Sequence, residues 1–155
     1  MKGIEHKRET TQITATLAQR AGQFIDQNKD RPFFLYYAAC TVHTPLEPGA
    51  QWKGKSKMGD YGDSVQEFDW QVGRILSKLS QHNLHQDTLL IVTSDNGALT
   101  RFGREYGHSS NGPLRGEKAS IYEGGHRVPF IARWPSKIPA GSVSNQLIST
   151  VDLMA

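Results

Sequence analysis

Three short constellations carry side chains able to do chemistry. The first is Ser94-Asp95-Asn96-Gly97, which follows the apolar run TLLIVT directly. A carboxylate beside a side-chain carbonyl supplies two hard oxygens suited to Ca²⁺ or Mg²⁺, and in open α/β sheets ligand sites gather beyond the carboxyl ends of strands. Asn-Gly is also the commonest tight-turn dipeptide. The second runs Gly116-Glu117-Lys118 and then Tyr122-Glu123-Gly124-Gly125-His126-Arg127-Val128-Pro129. Lys118 offers a compact positive charge to an anionic oxygen, and the paired glycines allow a backbone approach that a Cβ would forbid. An ordinary surface lysine before a glycine turn has the same sequence. The third is Val42-His43-Thr44-Pro45-Leu46, just past the run FFLYYA. An imidazole there can donate to an anion or protonate a leaving oxygen; a loop histidine stiffened by Pro45 is the plainer alternative.

These residues need elements to hold them. Thr10 to Asn28 has the spacing of an amphipathic helix, with Ile13, Leu17, Ala21, Phe24 and Ile25 on one face, and Arg31-Pro32 breaks it. Phe33 to Ala38 is short, apolar and aromatic, the pattern of a buried strand. Residues 40–59 form a loop rich in proline and glycine. Tyr61 to Gln81 predicts the clearest helix, its core stripe being Val65, Phe68, Val72, Ile75, Leu76 and Leu79, with Asp63 or Ser64 near its start. Thr88 to Ser94 reads as a second buried strand, 95 to about 116 as a long Gly, Ser and Asn-rich loop, and Val128 to Arg133 as a third strand. The alternation predicts an α/β layered sheet with flanking helices. At the end, Thr150 or Asp152 is a fit N-cap followed by less than one helical turn, so the chain reads as a cut domain.

Composition bounds the rest. Hydrophobic residues make up 37% and charged residues 21% of 155, the balance of a globular domain able to bury a core. No run approaches the roughly 18 apolar residues of a membrane-spanning helix, and the opening stretch MKGIEHKRETT lacks the apolar core of a secretory signal. The net charge is +3. From Arg101 to Lys137, however, Arg101, Arg104, Arg115, Lys118, Arg127, Arg133 and Lys137 face only Glu105, Glu117 and Glu123, which suits an anionic ligand or a solvated basic face. A single cysteine, Cys40, excludes an internal disulfide.

Taken together and in order, PFFLYYAACTVHTPL, TLLIVTSDNG and GPLRGEKASIYEGGHRVPFIARWP resemble the sulfatase family, closest to the arylsulfatase-like branch of the alkaline-phosphatase superfamily, from roughly Arg31 to Asp152. The resemblance implies that 1–155 is the middle-to-late part of a sulfatase catalytic domain acting on a sulfate ester, with no nucleic-acid partner. It implies that Asp95 and Asn96 are the late pair of divalent-metal ligands, for Ca²⁺ with Mg²⁺ as the other candidate. Lys118 matches the lysine on the sulfate oxygens, His43 the histidine beside the leaving oxygen, and His108 lies in the substrate loop. Glu123 and Arg127 match structural supports. The family's formylglycine arises from Cys/Ser-x-Pro-x-Arg, which does not occur here. Cys40 is expected to be a buried thiol, and Asn111-Gly112-Pro113-Leu114-Arg115 only imitates the motif's spacing. The nucleophile and the early Asp-Asp metal ligands are therefore expected upstream of Met1, in a missing N-terminal part that would act as partner. Family habit points to a periplasmic, extracellular or lysosomal setting. Two rivals stay open: a phosphate or phosphonate ester hydrolase of the same superfamily, and a non-catalytic anion-binding module.

Overall fold

The computed structural model describes residues 10–154, and the opening stretch considered above lies outside them. Helix α1 spans Thr10–Asn28, as its apolar spacing predicts. Ala18, Ala21 and Ile25 are buried along it together with Thr14 and Asn28. Asn28 also finishes the helix. Its Nδ2 donates to the Phe24 carbonyl at 2.7 Å, and its Oδ1 accepts Nε and Nη2 of Arg31 at 2.9 and 2.7 Å. Pro32 then prevents any continuation. Phe33 packs edge-on against Phe24 of α1, ring centroids 5.8 Å apart.

Phe33 to Ala38 is extended, yet it pairs with no strand among the described residues, which corrects the expected buried strand. A strand exists only through a neighbour's ladder of hydrogen bonds. Its side chains alternate instead, with Phe34 and Tyr36 turned outward at 71% and 81% exposure. Cys40 closes this segment and is exposed, so it is not the buried thiol expected.

Helix α2 spans Gly59–Gln81 and packs against α1. Asp26 of α1 accepts Lys78 Nζ at 3.0 Å and meets His82 Nε2 at 2.6 Å, tying the two helices near the C-terminal end of α2. That end is a Schellman turn: Leu84 N–H donates to the Leu79 carbonyl, Asn83 N–H to Ser80, and Asn83 sits at φ 58°. The predicted apolar stripe is only partly the buried face. Leu79 is buried, but Val65 is exposed, and the other fully buried side chains of α2 are Asp63, Ser64, Glu67 and Gln71. The N-terminal half of α2 covers loop backbone, whose N–H groups demand polar partners.

Strand β1 (Leu90–Thr93) and strand β2 (Phe130–Arg133) form a two-stranded antiparallel sheet. Between them lie two single-turn helices, α3 (Arg101–Arg104) and α4 (Glu123–His126). A 3₁₀ helix, Thr150–Met154, closes the described chain, and the Asp152 carboxylate caps it by accepting Ser149 N–H at 2.7 Å.

Candidate functional site

Antiparallel register decides what β1 delivers its loop against. Thr93 pairs with Phe130, and its hydroxyl donates to the Pro129 carbonyl at 3.0 Å. The chain leaving β1 through Ser94 to Gly97 therefore meets the chain arriving at β2 through α4. Gly97 N–H donates to the Gly125 carbonyl at 2.9 Å, and Gly124 N–H to Arg115 at 2.7 Å. No side chain fits between them: a Cβ on Gly97 would sit 1.8 Å from the Gly124 carbonyl oxygen. The double glycine thus does what its sequence suggested, a close backbone approach.

The second loop is sewn to the first by polar side chains. Lys118 N–H donates to the Ala98 carbonyl at 3.1 Å. Asn111 Oδ1 accepts Ala98 N–H at 3.0 Å, and its Nδ2 donates to the Gly116 carbonyl at 3.0 Å. Glu117 Oε2 accepts both the backbone N–H and the hydroxyl of Thr100, at 2.9 and 2.6 Å, while Ser120 Oγ accepts Glu117 N–H. Those two bonds from Thr100, the hydroxyl's first, hold the Glu117 carboxyl below the usual carboxylate range. The chain from Asp95 to Ala98 and Lys118 accordingly belong to one knot of backbone.

Within that knot the chemically capable groups are left open. Asp95 is exposed, and neither its carboxylate nor the Lys118 ammonium has a hydrogen-bond or ionic partner among the described residues. Asn96 donates through Nδ2 to the Gly97 carbonyl at 3.0 Å, which leaves its Oδ1 with both lone pairs. Two hard oxygens on adjacent residues fit part of a Ca²⁺ or Mg²⁺ shell of six or more ligands. The described residues contain no group of three or more His, Cys, Asp or Glu that could hold a metal, so further ligands would come from elsewhere.

His108 is exposed and lines an open groove with Thr100, Arg104, Ser109, Asn111 and Glu117, beside the same knot. His43 stands on a different loop. Its Nδ1 lies 2.7 Å from the Thr44 carbonyl, which can only accept, so Nδ1 carries the proton and Nε2 is the nitrogen left for a ligand. No described contact joins His43 to the 95–118 knot directly. Helix α2 touches both: Tyr61 stacks on Phe102 at 6.4 Å and its hydroxyl donates to Ser110 Oγ at 3.3 Å, while Gln71 holds Thr41 at 2.8 Å. Glu123 and Arg127 form an exposed i,i+4 ion pair of 3.1 Å at α4. Sequence reasoning passed over Asn111, Glu117 and Gln71 as functional supports, since they serve backbone or hydroxyl groups distant in sequence and no local spacing announces that.

A family model described as Sulfatase matches residues 3–155. N-acetylgalactosamine-6-sulfatase of Canis lupus familiaris is 43% identical over 152 residues, covering 97% of this chain and 29% of the relative. Human steryl-sulfatase is 43% identical over 145 residues, covering 91% and 25%. Among solved structures, a sulfatase from work on glycosaminoglycan metabolism by Bacteroides thetaiotaomicron superposes at TM-score 0.81 with 39% identity, covering 84% of this chain and 29% of that one. A sulfatase from Pseudoalteromonas sp. superposes at TM-score 0.80 with 33% identity, covering 89% and 28%. The chain thus spans under a third of the length of these relatives. It shares their alkaline-phosphatase-like α/β fold, and it belongs to the sulfatase family.

Proposed function

We propose that residues 1–155 form the middle-to-late segment of a sulfatase catalytic domain, and that the whole protein hydrolyses a sulfate ester. The observation that supports this best is the glycine-locked knot that presents Asp95, Asn96 and Lys118 together, with both charges unpaired among the described residues. Asp95 and Asn96 would hold a divalent cation, Ca²⁺ before Mg²⁺. When bound, such a cation polarises sulfate oxygens as a Lewis acid. The nucleophile would be a formylglycine made from Cys/Ser-x-Pro-x-Arg, a motif absent from this chain.

Each remaining role follows from local chemistry. Lys118, whose backbone is anchored to Ala98, brings an ammonium to the sulfate oxygens and offsets the charge that grows on them as the ester bond breaks. Entering the step doubly protonated, His43 would keep Nδ1–H on the Thr44 carbonyl and pass its Nε2 proton to the departing alkoxide, ending as the neutral Nδ1–H tautomer. His108, on the wall of the neighbouring groove, contacts the part of the substrate beyond the sulfate.

The test has two arms. Residues 1–155 alone, supplied with Ca²⁺ and a chromogenic aryl sulfate, are expected to show no turnover; real turnover would disprove the argument that the nucleophile is missing. The whole protein is expected to cleave aryl sulfate in preference to aryl phosphate. Preference for the phosphate ester would transfer the assignment to another hydrolase of the superfamily.

A further inference from the structure

Away from the knot, three buried polar side chains share one face of α2. Asp63, Glu67 and Gln71 recur every four residues and so stack along one side of the helix. Their exposures are 0%, 2% and 0%. All three reach the same segment of chain. Asp63 accepts Gly54 N–H through Oδ2 and Ser56 N–H through Oδ1, each at 2.6 Å. Glu67 accepts Gly49 N–H at 3.2 Å. Gln71 uses both ends of its amide: Oε1 accepts the Tyr37 hydroxyl, and Nε2 donates to Thr41 Oγ1 at 2.8 Å. Thr41 Oγ1 lies a further 3.4 Å from Thr14 Oγ1 of α1.

The segment gripped in this way, Tyr37 to Ser56, has no strand or helix of its own. Inside it, His43 is exposed, and its backbone N–H donates to Cys40 at 3.2 Å. Among the described residues, the hydrogen bonds that fix where residues 40–44 sit relative to the helices are those of the α2 ladder, the Thr14–Thr41 hydroxyl contact to α1 and that short turn. Gln71 is the rung nearest His43, and it grips the chain on the N-terminal side of the imidazole at two points four residues apart.

We propose that Gln71 is a positioning residue for His43: by bridging the Tyr37 and Thr41 hydroxyls, it sets the loop that aims the imidazole, with Glu67 and Asp63 fixing the far side of the same loop. The catalytic meaning of that aim rests on the sulfate-ester assignment above, whereas the positioning itself does not. Burial, ahead of the charges at Cys40 and Glu67, pushes the Tyr37 hydroxyl up to about 12, so it stays a donor to Gln71 at any working pH.

Backbone hydrogen exchange read by mass spectrometry, at micromolar concentration, decides the positioning. Gln71→Met keeps the volume and removes both bonds. Peptides covering 38–46 are expected to exchange at least about tenfold faster, since two net hydrogen bonds are lost, while the C-terminal half of α2 keeps its wild-type rate. Thr41→Val, which removes the Thr41 bond and leaves that of Tyr37, should accelerate the same peptides by a smaller factor, Thr41→Ser should behave as wild type, and the Gln71→Met/Thr41→Val double variant should exchange no faster than Gln71→Met alone. Unchanged exchange in 38–46, or uniform acceleration along the whole chain, overturns the proposal. Should Gln71→Met fail to fold, Thr41→Val carries the decision. In the whole enzyme, Gln71→Met is expected to lower kcat for an aryl sulfate with KM nearly unchanged, and an unchanged kcat overturns the role. Absence of turnover in the wild-type whole enzyme would overturn the sulfatase assignment and leave the exchange result standing.

Discussion

At Gly97 a single hydrogen atom in place of a methyl group decides whether two loops can touch. The nearest obstacle to a Cβ is the backbone oxygen of Gly124, which cannot swing aside as a side chain would. Gly97→Ala must therefore part the loops and break the Gly97–Gly125 hydrogen bond. A loss of about 1–3 kcal/mol is expected from overpacking of this kind, read as a lowered urea midpoint. Gly73, inside α2, is the matched control, because nothing lies within 4 Å of its ideal Cβ. Gly73→Ala is expected to stabilise by about 0.5–1 kcal/mol through helix propensity alone. Equal midpoints for Gly97→Ala and wild type would show that the close approach is wrong. Asp95, Asn96 and Lys118 were visible in the sequence because acid, amide and amine side chains are chemically distinctive wherever they stand. Asn111 was not. An asparagine in a Gly/Ser-rich loop looks like a turn former, and here it binds Ala98 and Gly116 across a gap no spacing rule spans.

Both long helices could be read from the sequence, because helical periodicity is a local signal repeated over many turns. The polar face of α2 could not: Asp63, Glu67 and Gln71 have the composition of a solvated surface, and only the fold reveals the loop lying over them. The run Phe33 to Ala38 failed for the opposite reason, as apolar composition announces burial but not the neighbour a strand needs. The joint between α1 and α2 carries its own pH dependence. Hydrogen bonds from His82 first, then Lys78, hold the Asp26 carboxyl below its ordinary 3.8. A depressed folded value means that Asp26 adds stability above 3.8 and loses it as pH falls through the lower folded value. Asp26→Asn is therefore expected to lower the melting temperature at neutral pH, by a margin that closes as pH falls below 3.8. The contribution is small, since the side chain is 42% exposed. A margin that persists unchanged into strong acid would mean the two helices are joined by packing and not by this ion pair.

For the molecule as a whole, the outstanding feature is apolar surface left uncovered. Phe34 and Tyr36 project from an extended segment whose backbone has no ladder partner among the described residues, and Ile121, Ile131, Val143, Leu147 and Val151 are all more than half exposed. Unpaired extended backbone with apolar side chains recruits other copies. Residues 1–155 by themselves are expected to self-associate with rising concentration and to bind a hydrophobic dye, as sedimentation velocity and fluorescence would report. A monodisperse monomer with a sharp cooperative melt would refute this. No helix is long and apolar enough to cross a membrane among the described residues, so these side chains do not form such a helix. The α/β class was legible from the alternation of helical and strand patterns. How little of a sheet these residues build by themselves was not, because strand pairing is non-local.

The pairing of β1 with β2 has a consequence for how this region tolerates change in length. Thr93 opposite Phe130 gears the acid–amide turn to the glycine-lined bend, tooth against tooth. One residue added to either strand would carry its attached loop a full step of about 3.3 Å along the sheet and turn its side chains to the other face. Additions are far easier to absorb at the outer rim of the connection, around Glu105 to Ser109, where the chain is exposed throughout and Gly107 already turns at φ 73°. Diversity in what the groove accepts would then accumulate at that rim, while the span from β1 to Ala98 and from Arg115 to β2 keeps a fixed count.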